Sequence, residues 1–256
     1  MTEFPDSVPA MKLSFIPSEA FPASDPTSLP LLRLMAATND ALLIQKRTII
    51  ARAQAAALHG LDRKVLNGEL GYYVRMLYGH LYEAGIAFRQ LHDTLGAQID
   101  ELLKDDEEAK AALQELRDVY LDSSASGFNT AILNRVRNLA AFHYKEAQFK
   151  EGVEAFGTTQ AQIILSPHRG IGRYVITDQI MSRSVWDFVG GTKKRLSACL
   201  ERAIHLADSL GVTVSHLTAC RFERRGIRFD QCHGTLRIES EINQLRKAVE
   251  EERRSR

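Results

Sequence analysis

The stretch Arg137-Asn138-Leu139-Ala140-Ala141-Phe142-His143-Tyr144 lies near the middle of the chain and decides how the rest is read. It falls in a run of helical periodicity from Asn129 to Phe149, entered from the loop Ser123-Ser124-Ala125-Ser126-Gly127. On a regular helix, with Val136 at zero, Ile132 falls at about −40° and Leu139 at about −60°. On the same wheel Leu133, Ala140 and Ala147 fall at about +60°, +40° and +20°, and His143 at about −20°, in the middle of the apolar stripe. Arg137 and Tyr144 share a flank at about +100° and +80°, while Asn138 points away at about 200°. A titratable side chain thus faces a packed surface, with a fixed cation and an aromatic ring at its edge.

The segments before it are also helical. Ser28-Leu29-Pro30 opens a helix, with Ser28 as N-cap and Pro30 in the first turn, where its missing N–H costs nothing. Leu31, Leu34, Met35, Leu42, Ile49 and Ala53 mark its apolar face to about Leu58, and Gly60 supplies the stop. A second helix opens at Asn67-Gly68 and runs through Tyr72, Val74, Leu77, Leu81, Ile86 and Phe88 to Leu91. Gly71, Gly79 and Gly85 lie inside it, each at a cost of about 1 kcal/mol relative to alanine, which predicts close approach of a neighbouring helix. Helical spacing resumes from Ala97 to Leu121, and the run Asp105-Asp106-Glu107-Glu108 opens a new segment whose dipole the acids complement.

After Gly152 the period shortens. Gln162–Leu165 and Arg173–Ile176 read as two strands around the turn Pro167-His168-Arg169-Gly170. Helices are expected from Thr177 through Val185, Trp186 and Phe188, from Lys193 to Leu210 with Gly211 as stop, and from near Ser215. Leu236 to Arg253 is amphipathic and heavily charged, as in a solvent-exposed helix or a short coiled coil. Six of the seven prolines fall in the first thirty residues, so that segment is expected to be extended, with Phe4, Phe15, Ile16 and Phe21 docking it on the body. The expected fold is mainly α: a helical bundle with a small β-hairpin insertion. Residues 1–29 form the Pro-rich extended segment and 30–152 the bundle; 153–256 form the hairpin and a helical extension packed on it.

Composition narrows the function classes. The net charge of +1 divides into −5 over residues 1–165 (16 Lys+Arg against 21 Asp+Glu) and +6 over 166–256 (17 against 11). That asymmetry suits either an anionic partner or docking against the acidic half of the same chain. Cys199, Cys220 and Cys232 are odd in number and lack CxxC spacing, which argues against a disulfide framework and a zinc site. No apolar run reaches the roughly 20 residues of a membrane helix, and no basic-then-apolar leader opens the sequence. The expectation is a soluble cytoplasmic protein with no metal, no cofactor and no membrane partner.

A histidine close to its reference pKa of about 6.5 can both accept and give a proton near neutrality. An arginine beside it forks two donors onto a phosphate. Together they suffice for metal-independent cleavage of RNA, in which the 2′-hydroxyl attacks the adjacent phosphorus and the cation stabilises the developing charge. At Arg137-Asn138 and Phe142-His143-Tyr144 the sequence resembles the HEPN superfamily, whose mark is an arginine, four to six residues and a histidine, with a polar residue commonly after the arginine. The resemblance implies a four- or five-helix bundle that pairs its motifs across a homodimer. It also implies ribonuclease activity of the toxin–antitoxin or phage-defence kind, or, in members that have lost catalysis, binding alone. His143 would be the acid–base residue, Arg137 the phosphate-binding one, and Asn138 and Tyr144 supporting contacts to RNA.

The spacing itself occurs four times, at Arg52…His59, Arg75…His80, Arg137…His143 and Arg228…His233. The third alone has asparagine after the arginine and aromatics at the histidine. Its structural alternative is a satisfied core histidine in a non-catalytic interaction module of the same fold. A second candidate surface is the cluster Arg221, Arg224, Arg225 and Arg228 with Phe222 and Phe229 interleaved, a composition that binds phosphates and stacks bases, or else docks on acidic protein surface. Gly190-Gly191-Thr192-Lys193-Lys194 lacks the GxxxxGK[ST] pattern and reads as an interhelical turn, and Cys232-His233 is too isolated for a metal.

Overall fold

The computed structural model describes residues 7–138, 150, 153–154, 191–227 and 230–237. The protein is mainly helical. Strand β1 (Ser7–Ser14) leads through the short α1 (Pro17–Ala20) into α2 (Ser28–Ala57), α3 (Gly60–Leu95), α4 (Gln98–Leu102) and α5 (Glu107–Tyr120). A π-helical turn, Asn129–Leu133, continues into α6 (Asn134–Val136); later come α7 (Lys193–Arg224) and β2 (Asp230–Arg237). The expected hairpin at 162–176, the helix at 177–188 and most of the 236–253 segment lie outside the described residues.

Helices α2 and α3 form a long antiparallel pair. Leu58 and His59 are extended, and Gly60 turns the chain at φ +62°, a left-handed conformation that glycine adopts without a Cβ clash. Helix α2 therefore ends at Ala57, close to the expected Leu58, but Gly60 is the first residue of α3 and not the stop of α2. Helix α3 then runs through Asn67-Gly68, where the sequence suggested a start. Its length and packing outweigh the weak helix propensity of that dipeptide.

The buried stripe of α2 also differs from the expected one. It runs Leu31, Leu34, Thr38, Ala41, Gln45, Thr48, Ala51 and Ala55, while Ile49 is exposed. Two of the three polar residues on the seam, Gln45 and Thr48, are supplied with hydrogen-bond partners, while the buried Thr38 hydroxyl has none among the described residues. Gln45 Nε2 donates to Ile204 O at 2.9 Å and to Asp208 Oδ1 at 2.6 Å, both on α7, and Thr48 Oγ1 donates to Ile44 O one turn back. Arg52 pairs with Glu201 farther along the same seam. Small residues bring the two helices together: a Cβ on Gly211 would stand 3.4 Å from Leu42 Cδ1. Gly211, expected to end a helix, lies within α7, which continues unbroken to Arg224.

Close approach explains Gly85 in α3. The Tyr120 ring of α5 lies on it so tightly that a Cβ there would stand 2.5 Å from Cδ1. Tyr120 is fully buried and donates its hydroxyl to Leu81 O at 2.8 Å, and Phe88 packs 5.8 Å away, centroid to centroid. Asp106 caps α5 by accepting from Ala109 N at 2.9 Å, followed by Glu107 and Glu108 in the first turn, as the acidic run suggested. Helix α7 packs against both α5 and α2, and the π-helical turn and α6 pack on α3. The core is the shared interior of these elements, with Leu77, Tyr78, Leu81, Phe88, Leu116, Leu133, Leu206 and Leu210 at its centre.

The N-terminal segment is extended and docked. β1 pairs antiparallel with β2, with Ser7 opposite Arg237 and Ser14 opposite Asp230. The ring of Phe15 lies 4.9 Å from that of Phe222, and Phe21 lies 5.9 Å from Phe222. Ser28 does not cap α2. Its hydroxyl donates to Pro22 O, and the preceding turn is closed by Asp25, which accepts from Thr27 N at 2.8 Å. Among the described residues no helix is long and apolar enough to cross a membrane.

Candidate functional site

Arg137 stands at the C-terminal end of α6, above the buried Leu133 and Val136. Its Nε donates to Glu83 Oε1 of α3 at 2.9 Å, and its Nη1 donates to Asn138 Oδ1 at 2.9 Å. Asn138 is oriented in turn by donating Nδ2 to Asn134 Oδ1 at 2.6 Å. The guanidinium carbon lies 5.8 Å from the centroid of Tyr82. The Arg137 side chain keeps 32% of its surface and Glu83 keeps 39%, so the group is held yet reachable from solvent. Glu83 and Tyr82 come from a helix more than fifty residues earlier, and no spacing signal could have found them.

The described half of the apolar stripe is where the wheel put it: Ile132, Leu133 and Val136 are buried. Asn138 is not. A regular helix would turn it to the far side, whereas it is half-buried beside Arg137. The π-helical turn at Asn129–Leu133, with π geometry again at Arg137 and Asn138, advances less than 100° per residue and so rotates the later positions away from those of a regular wheel. His143 and Tyr144 lie outside the described residues.

The basic cluster divides. Arg221 is 9% exposed in its side chain and fully engaged: Nε donates to Ala20 O at 2.7 Å, Nη1 to Thr27 Oγ1 at 2.7 Å, and Nη2 to Ser28 Oγ at 2.6 Å and Asp25 Oδ2 at 3.1 Å. Its carbon lies 5.0 Å over the ring of Phe21. Arg225 Nη2 donates to the same Asp25 oxygen at 2.5 Å. Burial tends to raise the Asp25 pKa, but the Thr27 hydroxyl and amide, then Arg225 and Arg221, bring it down to about 2. Burial also pushes Arg221 below the usual arginine value, partly offset by Asp25. Arg224 is exposed. Of the two readings of the cluster, docking on acidic surface of the same chain is what Arg221 and Arg225 do: they clasp the N-terminal segment through Asp25, with Arg221 enclosed and Arg224 outside. Arg228 and Phe229 lie outside the described residues.

A second arginine–histidine pair exists in space without any motif. Arg117 of α5 is bidentate to Asp100 at 2.6 and 2.8 Å, and its Nε donates to His92 Nε2 of α3 at 3.3 Å. The Arg117 hydrogen bonds hold the Asp100 carboxyl below its ordinary range despite some burial. Burial raises the thiols of Cys199 and Cys220, which makes them poor nucleophiles. Gly191 and Thr192 form the N-terminal turn of α7, where Thr192 Oγ1 accepts from Arg195 N at 3.2 Å. Among the described residues no group of three His, Cys, Asp or Glu is gathered to hold a metal. Compared with protein-family models, with curated proteins and with solved structures, the chain matches none.

Proposed function

We propose that this chain is a HEPN-like helical protein that acts on RNA as a metal-independent ribonuclease and works as a homodimer. The observation that carries the reading is the setting of Arg137. It is a cation held half-exposed by Glu83 and Asn138 at the edge of an apolar helix stripe, with five residues between it and His143. A guanidinium oriented in this way by neighbours can receive a phosphate without first ordering its own long side chain. His143 supplies the proton transfers. It takes the 2′-hydroxyl proton as that oxygen bonds to phosphorus, and the imidazolium so formed then gives the proton to the 5′-oxygen as the bond from phosphorus to that oxygen breaks. Arg137 stabilises the pentacoordinate phosphorane charge. The test is incubation of the purified protein with RNA in EDTA: cleavage is expected from the wild type and none from His143→Ala or Arg137→Ala. Cleavage that survives His143→Ala removes the assignment.

One specific observation favours a second reading, a non-catalytic interaction module of the same fold. Two of the nitrogens of Arg137 already have protein partners, so the pair with Glu83 can be a joint between α3 and α6. On that reading no RNA product forms in any condition, and His143→Ala lowers thermal stability.

A further inference from the structure

The clasp at the C-terminal end of α7 has the composition of a single-stranded nucleic-acid site that is already full. A nucleotide offers an arginine two things, a phosphate for the fork and a base for the flat face. Arg221 receives both from its own chain. The Asp25 carboxylate accepts from Nη2, and the Phe21 ring lies under the guanidinium at 5.0 Å. Arg225 is the second cation on the same carboxylate oxygen. Phe222, buried between Phe15 and Phe21, is a third ring in the same place, and Arg224 stands exposed on the adjoining turn. The segment that fills the site is tied there by ring contacts and hydrogen bonds to two arginines, groups that a polyanion with stackable bases can replace one for one.

We infer that residues 15–28 are a built-in ligand occupying a single-stranded RNA surface made by Arg221, Phe222, Arg224 and Arg225, and that RNA binds there by displacing this strap. The inference rests on the reading that the chain acts on RNA, and it adds where the strand is held and what holds it off. In the strapped state Arg221 is enclosed and Arg225, though exposed, is held on Asp25, while Arg224 stands exposed beside them. Displacement of the strap frees the guanidiniums of Arg221 and Arg225, and loss of the Asp25 charge removes the one anion that holds both there.

The experiment uses the full chain and a fluorescein-labelled 2′-O-methyl oligouridine, which lacks the attacking hydroxyl, so binding is read whether or not the protein is a nuclease. Fluorescence anisotropy is recorded for wild type, Asp25→Asn, and the triple variant Asp25→Asn/Arg221→Gln/Arg225→Gln across a salt series. The expected result is tighter binding by Asp25→Asn than by wild type, by roughly tenfold at low salt, with the log–log salt slope steeper by about 1.4, since each freed cation on a single strand contributes about 0.7. The triple variant should return to the wild-type affinity or below. Equal affinity of Asp25→Asn and wild type overturns the inference, as does a gain that persists in the triple variant. If Asp25→Asn does not fold, hydrogen exchange on the wild type decides. Saturating oligouridine should speed exchange of the amides of residues 18–28, and unchanged or slowed exchange there overturns it. Tighter binding by Asp25→Asn from a protein that never cleaves RNA would leave this inference standing and remove the ribonuclease reading.

Discussion

Gly85→Ala would test the packing of α3 on α5 most sharply, because two effects of known size oppose each other there. Alanine in a helix interior is favoured over glycine by about 1 kcal/mol. The new methyl, however, would stand 2.5 Å from Cδ1 and 2.6 Å from Cε1 of Tyr120. These are the near atoms of a fully buried ring, so the ring cannot simply swing aside. Overpacking of this kind costs about 1–3 kcal/mol. Moving the ring also strains the bond from its hydroxyl to Leu81 O, and a buried hydroxyl left unpaired costs about 1–3 kcal/mol more. The sum is a net destabilisation of about 1–5 kcal/mol, according to how far the hydroxyl bond is lost, read as a lower urea midpoint at unchanged slope. Tyr120→Leu in the alanine background should recover part of the loss, since the clash and the orphaned hydroxyl both disappear. A variant stabilised by about 1 kcal/mol, the propensity term alone, would refute the reasoning.

The other expectations concern charges and polar seams. Asp25 has a folded pKa of about 2 against an ordinary 3.8, so its stabilising contribution is complete above the unfolded value and is lost as pH falls from about 4 to about 2. The difference is worth about 2 kcal/mol, and it should vanish from the pH–stability curve of Asp25→Asn. Gln45→Ala removes both donors to α7 and should cost about 1–3 kcal/mol in chemical denaturation; a neutral result would mean that the seam is held by its small residues alone. Glu83→Ala should cost under about 1 kcal/mol, because the pair with Arg137 is about one-third exposed. A loss well above that would favour the structural reading of Arg137. His92→Ala should leave any RNA cleavage at the wild-type rate, which separates the spatial pair with Arg117 from the motif pair.

Much of the helical architecture was legible because it arises from local chemistry. The turn at Gly60 separated two helices, Asp106 opened one with its acids behind it, and Gly85 marked a close approach, each for reasons carried by the residue itself. What the sequence misjudged was settled by partners far along the chain. Asn67-Gly68 and Gly211 look like breaks locally but lie within helices long enough to run through them. Thr38, Gln45 and Thr48 are polar by type and buried in fact, since α7 and the helix itself provide acceptors for Gln45 and Thr48. The site shows the same division. Arg137 and Asn138 were found by spacing; Glu83 and Tyr82, which position Arg137, were not. The side of the helix taken by Asn138 depended on a π-helical turn that a regular wheel does not contain. Arg221 was singled out as part of a basic cluster, but the residue that engages it is Asp25, almost two hundred positions earlier, in a segment marked in the sequence by its prolines and phenylalanines.

End-group analysis of the products is the sharpest test of the proposed cleavage of RNA by Arg137 and His143 through attack of the neighbouring 2′-hydroxyl. A labelled RNA incubated with the protein in EDTA should yield fragments ending in a 2′,3′-cyclic phosphate and beginning with a 5′-hydroxyl, and a single 2′-deoxy substitution should block the cut at that position. Intact RNA from a correctly folded wild-type protein, or products bearing 5′-phosphates, would contradict the account.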